Sequence, residues 1–137
     1  MGRIIAIDYG SKRSGIATTD PLRLIATPLK GLPTHQVFDF LTEYFAKEQV
    51  DQVIVGWPTQ LDGSDTNNTP LVQAFLNRFR KLFPDMRVFL QDERNTSKQA
   101  MVSMIQSGVS KKGRRDKLAV DKVSAVIILQ SYMEANS

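Results

Sequence analysis

The sequence predicts an α/β fold, a central mixed five-stranded sheet flanked by helices, with three antiparallel strands followed by two parallel ones. Three observations predict it. Strand-like apolar patterning with turn residues between runs from Arg3 to Thr27, the period turns helical at Thr34, and helical and strand-like segments alternate from there.

Arg3 to Asp8 reads as the first strand, with Ile4, Ala6 and Asp8 on one face and Ile5, Ile7 and Tyr9 on the other. Both faces are apolar, which predicts a central position. Gly10 to Gly15 is a short turn, and Ile16 to Thr19 and Leu22 to Thr27 complete an antiparallel meander broken at Asp20-Pro21. Pro28, Gly31 and Pro33 end it. From Thr34 a helix buries Val37, Leu41, Tyr44 and Phe45, and Gln52 to Val55 is the fourth strand. After a polar loop from Trp57 to Asn68, Thr69 as N-cap and Pro70 at the first helical position open a helix burying Leu71, Phe75, Leu76, Phe79 and Phe83. Pro84 ends it. Arg87 to Gln91 is the fifth strand, and Thr96 with Gln99 forms a capping box for a helix that Gly108 terminates. A loop from Ser110 to Lys117 leads to the last helix, whose segment Val123 to Leu129 is apolar enough to require packing on the sheet. Right-handed crossovers make strands one, four and five parallel, so Asp8, the Gly56 turn and Glu93 follow the carboxyl ends of neighbouring strands, where open sheets bind ligands.

With 137 residues, 42% of them hydrophobic, the chain is expected to form one domain over residues 1–137. No apolar run reaches the roughly 20 residues of a membrane-spanning helix, and the first residues read as a strand rather than a signal peptide. The expected setting is soluble and cytoplasmic. The absence of cysteine removes disulfides, thiolate zinc sites and thiol nucleophiles, leaving oxygen ligands for any metal. His35, the one histidine, follows Pro33 and Thr34 at a helix start and receives no role. Charge is uneven: residues 1–69 carry six Lys/Arg against eight acids, and residues 70–137 carry twelve against six. A basic C-terminal half suits a polyanionic partner such as nucleic acid.

Three carboxylates lie where they cost most. Asp8 ends an apolar strand on the Ile4 and Ala6 face, where its charge needs a cation or several donors, although an Asp before a Gly-rich turn also accepts backbone N–H groups. Asp121 shares a helix face with Ser124, Ala125, Ile128 and Tyr132; Ser124 is placed to support it, while the positive first turn of the helix is the alternative reason for an acid there. Asp92 and Glu93 point to opposite sides of the fifth strand, so at most one shares the face of Asp8, and Glu93 is assigned to it. Arg94 is either its salt-bridge partner or a phosphate contact. Converging carboxylates without His or Cys match Mg²⁺ or Mn²⁺. Two such ions about 4 Å apart would activate the attacking water and stabilise the leaving oxygen of a phosphodiester, with no general-base side chain needed. The convergence follows from topology, not spacing.

Asp8-Tyr-Gly-Ser-Lys-Arg-Ser-Gly-Ile-Ala17, Val55-Gly-Trp-Pro58, Leu61-Asp-Gly63, Asp92-Glu-Arg94 with Thr96-Ser97, and Val120-Asp-Lys-Val-Ser-Ala-Val-Ile-Ile-Leu129 together resemble the YqgF/RuvX family, in order and over essentially the whole chain. The resemblance implies an RNase H-like fold similar to the RuvC resolvases, and a nuclease that matures the 5′ end of pre-16S ribosomal RNA or resolves Holliday junctions. It also implies acidic site positions at Asp8, Glu93 and Asp121. Trp57, Gln60 and Asn95 depart from the family's usual residues, which bears on loop detail and not on the acids.

Lys111, Lys112, Arg114, Arg115 and Lys117 place five basic residues in seven positions and are expected to grip phosphates beside the site, a solvated charged loop being the plainer alternative. Lys12 and Arg13, in the turn after Asp8, are further candidates. Gly10 and Gly15 would let backbone approach the substrate, or serve tight-turn geometry. The expected partners are structured RNA or branched DNA, with no membrane, bound by a monomer or a homodimer; a symmetrical cut of a junction requires the dimer. Two rivals remain. Asp8-x-Gly-x4-Gly15 also resembles the phosphate loop of the actin, Hsp70 and sugar-kinase superfamily, which encloses ATP between two such domains where this chain offers one. A non-cutting nucleic-acid-binding assembly factor would not need all three acids.

Overall fold

The computed structural model describes residues 2–58, 68–92 and 117–136, at 117–119 the backbone alone. Five strands, β1 (Arg3–Tyr9), β2 (Arg13–Thr19), β3 (Ala26–Pro33), β4 (Val50–Trp57) and β5 (Arg87–Asp92), form one sheet in the order β3-β2-β1-β4-β5. β1, β2 and β3 are antiparallel neighbours, whereas β1, β4 and β5 run parallel, as the crossover argument required.

The two faces of β1 have separate cores. Ile5 and Ile7 pack with Val53 and Val55 of β4 under α1 (Val37–Lys47) and α2 (Thr69–Leu82), whose Val37, Leu41, Val72, Phe75, Leu76 and Phe79 are buried. Ile4 and Ala6 on the opposite face pack with Ile54 against Ala125, Ile128 and Leu129 of α3 (Lys117–Ala135). The buried residues of α3, Ser124, Ala125, Ile128 and Leu129, recur at helical spacing on the one face laid against the sheet, and Tyr132 anchors its far end by donating a 3.2 Å hydrogen bond to Gln52 Oε1. Among the described residues no helix is long and apolar enough to cross a membrane.

The elements differ from the sequence reading at several points: β2 begins at Arg13 and β4 runs over Val50–Trp57, both longer than their apolar stretches. β3 is not Leu22 to Thr27 but Ala26–Pro33, carrying two prolines because it is an edge strand with N–H positions that need no partner. Leu22, Leu24 and Ile25 instead sit 63–71% exposed on the preceding loop. That loop is held by the Asp20 carboxylate, which accepts N–H bonds from Leu22, Leu24 and Ile25; the Ile25 bond leads in pulling its pKa below the ordinary value. The N-cap of α2 is Asn68 rather than Thr69, whose hydroxyl donates instead to the Pro58 carbonyl at 2.9 Å. Val72 is buried where Leu71 was expected, and Phe83 lies just past the helix end, half-buried. The capping box at Thr96 and Gln99, the Gly108 terminator and the loop entering α3 lie outside the described residues.

Candidate active site

β1 delivers Asp8 to the end of the sheet on the α3 face, and the antiparallel register sets Gly15 of β2 directly opposite it. A Cβ at Gly15 would overlap the backbone carbonyl of Asp121. The missing side chain therefore lets the α3 backbone rest on β2 at the residue paired with Asp8, which brings Asp121 to the same cleft. The close approach at Gly15 is by this helix and not by a substrate. At Gly10 a Cβ would meet the Arg13 carbonyl, so this glycine serves the tight turn.

The turn after Asp8 is fastened by side chains that the sequence reading did not single out. Gly10 N–H donates to Ser14 Oγ at 3.2 Å, and Thr34 Oγ1 donates to the Gly10 carbonyl at 2.7 Å. Ser14 Oγ and Thr34 Oγ1 are 2.8 Å apart, and since the Thr34 proton is committed to Gly10, Ser14 is the donor between them. Thr34 N–H donates to the Lys12 carbonyl, and Asn68 Nδ2 donates to the Tyr9 carbonyl at 2.9 Å. Every member is Ser, Thr or Asn, residues whose short polar side chains take over backbone bonds at turns; the signal was their identity, but their partners are distant in sequence. Tyr9, on the other face, stacks on Phe75 with centroids 4.2 Å apart, and burial pushes its phenol pKa up against the opposing pull of Arg78.

Asp8, Tyr9, Gly10, Ser11, Lys12, Arg13, Asn68 and Asp121 line a polar cleft of about 330 Å³ at this end of the sheet. Larger clefts of about 620 and 590 Å³ open where Arg23 and Gln52 lie, at the other end. The smaller one is the candidate, because among these clefts it gathers two of the predicted carboxylates. Asp121 lies beyond the first turn of α3, which has no acid there, so the helix dipole does not account for it. Its side chain is 14% exposed, and Arg13 Nε comes within 2.9 Å of its Oδ2. The two atoms are close yet not aligned as a hydrogen bond. Arg13 thus contacts a carboxylate in this structure, where the sequence reading assigned it to phosphate. Ser124 is fully buried, but its hydroxyl has no hydrogen-bond partner among the described residues, so it gives Asp121 no hydrogen-bonded support.

Asp92 ends β5 paired with Trp57, on the Val53 and Val55 side of the sheet and away from Asp8, as strand alternation required. Lys12 is exposed on the turn at the cleft rim, and Lys117 is the first residue of α3. Glu93, Arg94, Lys111, Lys112, Arg114 and Arg115 lie outside the described residues. Among the described residues there is no group of three or more His, Cys, Asp or Glu able to hold a metal ion. The donors present nevertheless suit a hard divalent cation: they are carboxylate oxygens from two elements, and one of them meets its neighbouring cation without hydrogen-bond alignment.

Known proteins share both the sequence and the fold. A Flavobacterium johnsoniae protein named "Putative pre-16S rRNA nuclease" is 47% identical over 135 residues, covering 98% of each chain. A Porphyromonas gingivalis protein of the same name is 42% identical over 134 residues, covering 98% of this chain and 97% of that one. Among solved structures, the Fowlpox virus resolvase in complex with Holliday junction DNA superposes with a TM-score of 0.60 at 16% identity, over 98% of both chains. T. thermophilus RuvC in complex with its Holliday junction substrate gives 0.53 at 16% identity, over 97% of this chain and 96% of that one. These two likenesses establish a common RNase H-like fold. The family model described as "RuvX: Holliday junction resolvase" matches residues 2–135, and with relatives of such identity along its whole length the chain belongs to the RuvX (YqgF) family.

Proposed function

We propose that this chain is a divalent-metal-dependent nuclease that hydrolyses phosphodiester bonds of nucleic acid, with the 5′ end of pre-16S ribosomal RNA as its substrate and Asp8, Asp121 and Glu93 as the metal-holding carboxylates. The observation that carries the reading is the meeting of Asp8 and Asp121, from the first strand and the last helix, in one polar cleft at the carboxyl end of β1. Part-burying two carboxylates, one on β1 and one on the sheet-facing side of α3, is costly, and a cation offsets that cost where apolar residues would not. Mg²⁺ or Mn²⁺ held there would supply Lewis-acid activation of the attacking water and stabilise the departing oxygen.

The chain's own residues hold and orient. The fastened turn presents Lys12 at the cleft rim, positioned for a phosphate next to the scissile one. Lys111, Lys112, Arg114, Arg115 and Lys117 extend the grip along the backbone. Neutralising all five should weaken RNA binding and flatten its salt dependence by roughly 3–5 units of slope, and an unchanged salt titration would remove them from the interface.

The names of the relatives favour RNA, whereas the description of the family model favours a four-way DNA junction as the second substrate. Both are offered, with Mg²⁺ or Mn²⁺, to the wild type and to Asp8→Asn and Asp121→Asn. Cleavage of 5′-extended precursor RNA should fall about a hundredfold or more in each variant, because each loses a metal-binding charge. Equal rates in wild type and variants overturn the nuclease reading, and wild-type binding without cleavage of either substrate leaves a non-cutting assembly factor in its place.

A further inference from the structure

Arg13 and Asp121 are brought together by the architecture and not by local sequence. Arg13 begins β2, where its backbone pairs with Pro33, and the bonds among Gly10, Ser14 and Thr34 fasten the turn beside it. Asp121 is lowered onto the same strand by the gap at Gly15. With both backbones fixed, only side-chain torsions are free to adjust. The guanidinium Nε and the Oδ2 nevertheless meet at 2.9 Å without hydrogen-bond alignment. The exposures are unequal as well: the Arg13 side chain is 41% exposed and the Asp121 side chain 14%, so the arginine is the partner with the freer way out to solvent.

A guanidinium and a divalent cation cannot both sit against that oxygen, because their mutual repulsion in a partly dry cleft is strong. We infer that Arg13 is a displaceable counter-ion: it neutralises Asp121 until a divalent cation arrives, then swings through its exposed side to a phosphate of the substrate. This rests on the metal-site reading above and adds to it that metal loading and substrate grip share one side chain. The Asp121 charge is then offset in both states, first by arginine and afterwards by the cation, while the released guanidinium offsets a phosphate.

The test is calorimetric titration of Mn²⁺ into wild type, Arg13→Gln and Arg13→Lys without nucleic acid, with thermal melts checking that each variant is folded. Removing the competing charge should tighten Mn²⁺ binding by about tenfold in Arg13→Gln, and Arg13→Lys, which keeps the charge, should bind like the wild type. A second readout is the salt slope for binding a cleavage-resistant phosphorothioate RNA. Mn²⁺ should raise the wild-type slope by about 0.7, one phosphate contact on a single strand, and leave the Arg13→Gln slope where it was. Equal Mn²⁺ affinity in wild type and Arg13→Gln, or tightening by Arg13→Lys as well, overturns the counter-ion role while the metal site stands. Failure of all three proteins to bind Mn²⁺ overturns both readings.

Discussion

Two arginine–aspartate pairs bracket the sheet, and they are built differently. At the amino-terminal end of β1, Arg23 Nη2 donates to Asp51 Oδ2 at 2.7 Å and Arg23 Nε donates to the Gly2 carbonyl at 2.9 Å. Gly2 N–H and Gln49 Nε2 donate to the same Asp51 carboxylate, at 2.7 and 3.4 Å. Every charge there has directed partners from several elements. At the carboxyl end, Arg13 and Asp121 are as close but share no aligned bond. The first pair is a staple, optimised for the folded state. The second is a close charge contact without hydrogen-bond direction, the kind of contact an incoming cation competes with most readily.

The hardest way to break this contrast is at Gly15. Gly15→Ala would drive a methyl group into the Asp121 backbone, with the Lys122 nitrogen only 2.9 Å away, and backbone cannot rotate aside as a side chain can. α3 would have to rise off β2. The expected cost is about 2–3 kcal/mol, a fall in Tm of about 10 °C. A melt within a degree of wild type would show that the helix is not seated by this gap. Mn²⁺ affinity should fall together with stability, since Asp121 moves with the helix, whereas breaking the staple should leave Mn²⁺ affinity unchanged.

The staple is tested by acid. Chiefly the Gly2 N–H, assisted by Gln49 and Arg23, holds the Asp51 carboxyl below its ordinary 3.8. A depressed carboxylate pKa adds stability that is complete above the unfolded value and is lost as pH falls through the folded one. Wild-type Tm should therefore drop on acidification below about pH 4, and Asp51→Asn should start lower and flatten that limb. Asp20, also shifted down, retains part of the slope. Arg23 adds a control, being a non-glycine residue at a positive φ of 60°. Arg23→Gly keeps that backbone without strain, so it should melt above Arg23→Ala by roughly 0.5–1 kcal/mol, although both lose the guanidinium. The reverse order would mean that the loop relaxes out of the left-handed region.

Where the molecule was legible in its sequence, the information was periodic. Alternation in β1 assigned Asp8 to the face of Ile4 and Ala6, helical spacing assigned Asp121 to the face of Ala125 and Ile128, and the handedness of crossovers supplied the parallel order that joins them. β3 was misplaced because apolar content at Leu22, Leu24 and Ile25 outweighed the prolines, yet it is the prolines that mark an edge. The pairing of Arg13 with Asp121 and the bonds of Ser14, Thr34 and Asn68 depend on contacts between distant segments, for which no local pattern exists. A glycine's role was equally hidden: Gly15 reads as a turn residue, and its function is to vanish beneath a helix.

The smallest effect concerns Ser124, and it sharpens the contrast from inside the site's own helix. Its hydroxyl is fully buried one turn beyond Asp121 and makes no hydrogen bond among the described residues. An unpaired buried hydroxyl costs about 1–3 kcal/mol, so removing it by Ser124→Ala should leave stability unchanged or raise it by up to about 1 kcal/mol, the gain limited by the small void left behind. A loss of more than about 1 kcal/mol would mean that the hydroxyl has a partner within the fold after all, contrary to its isolation here. If stability holds while Mn²⁺ affinity drops severalfold, Ser124 supports Asp121 only once a cation has displaced Arg13 from that carboxylate, and the poorly aligned pair is then one of two states of the site.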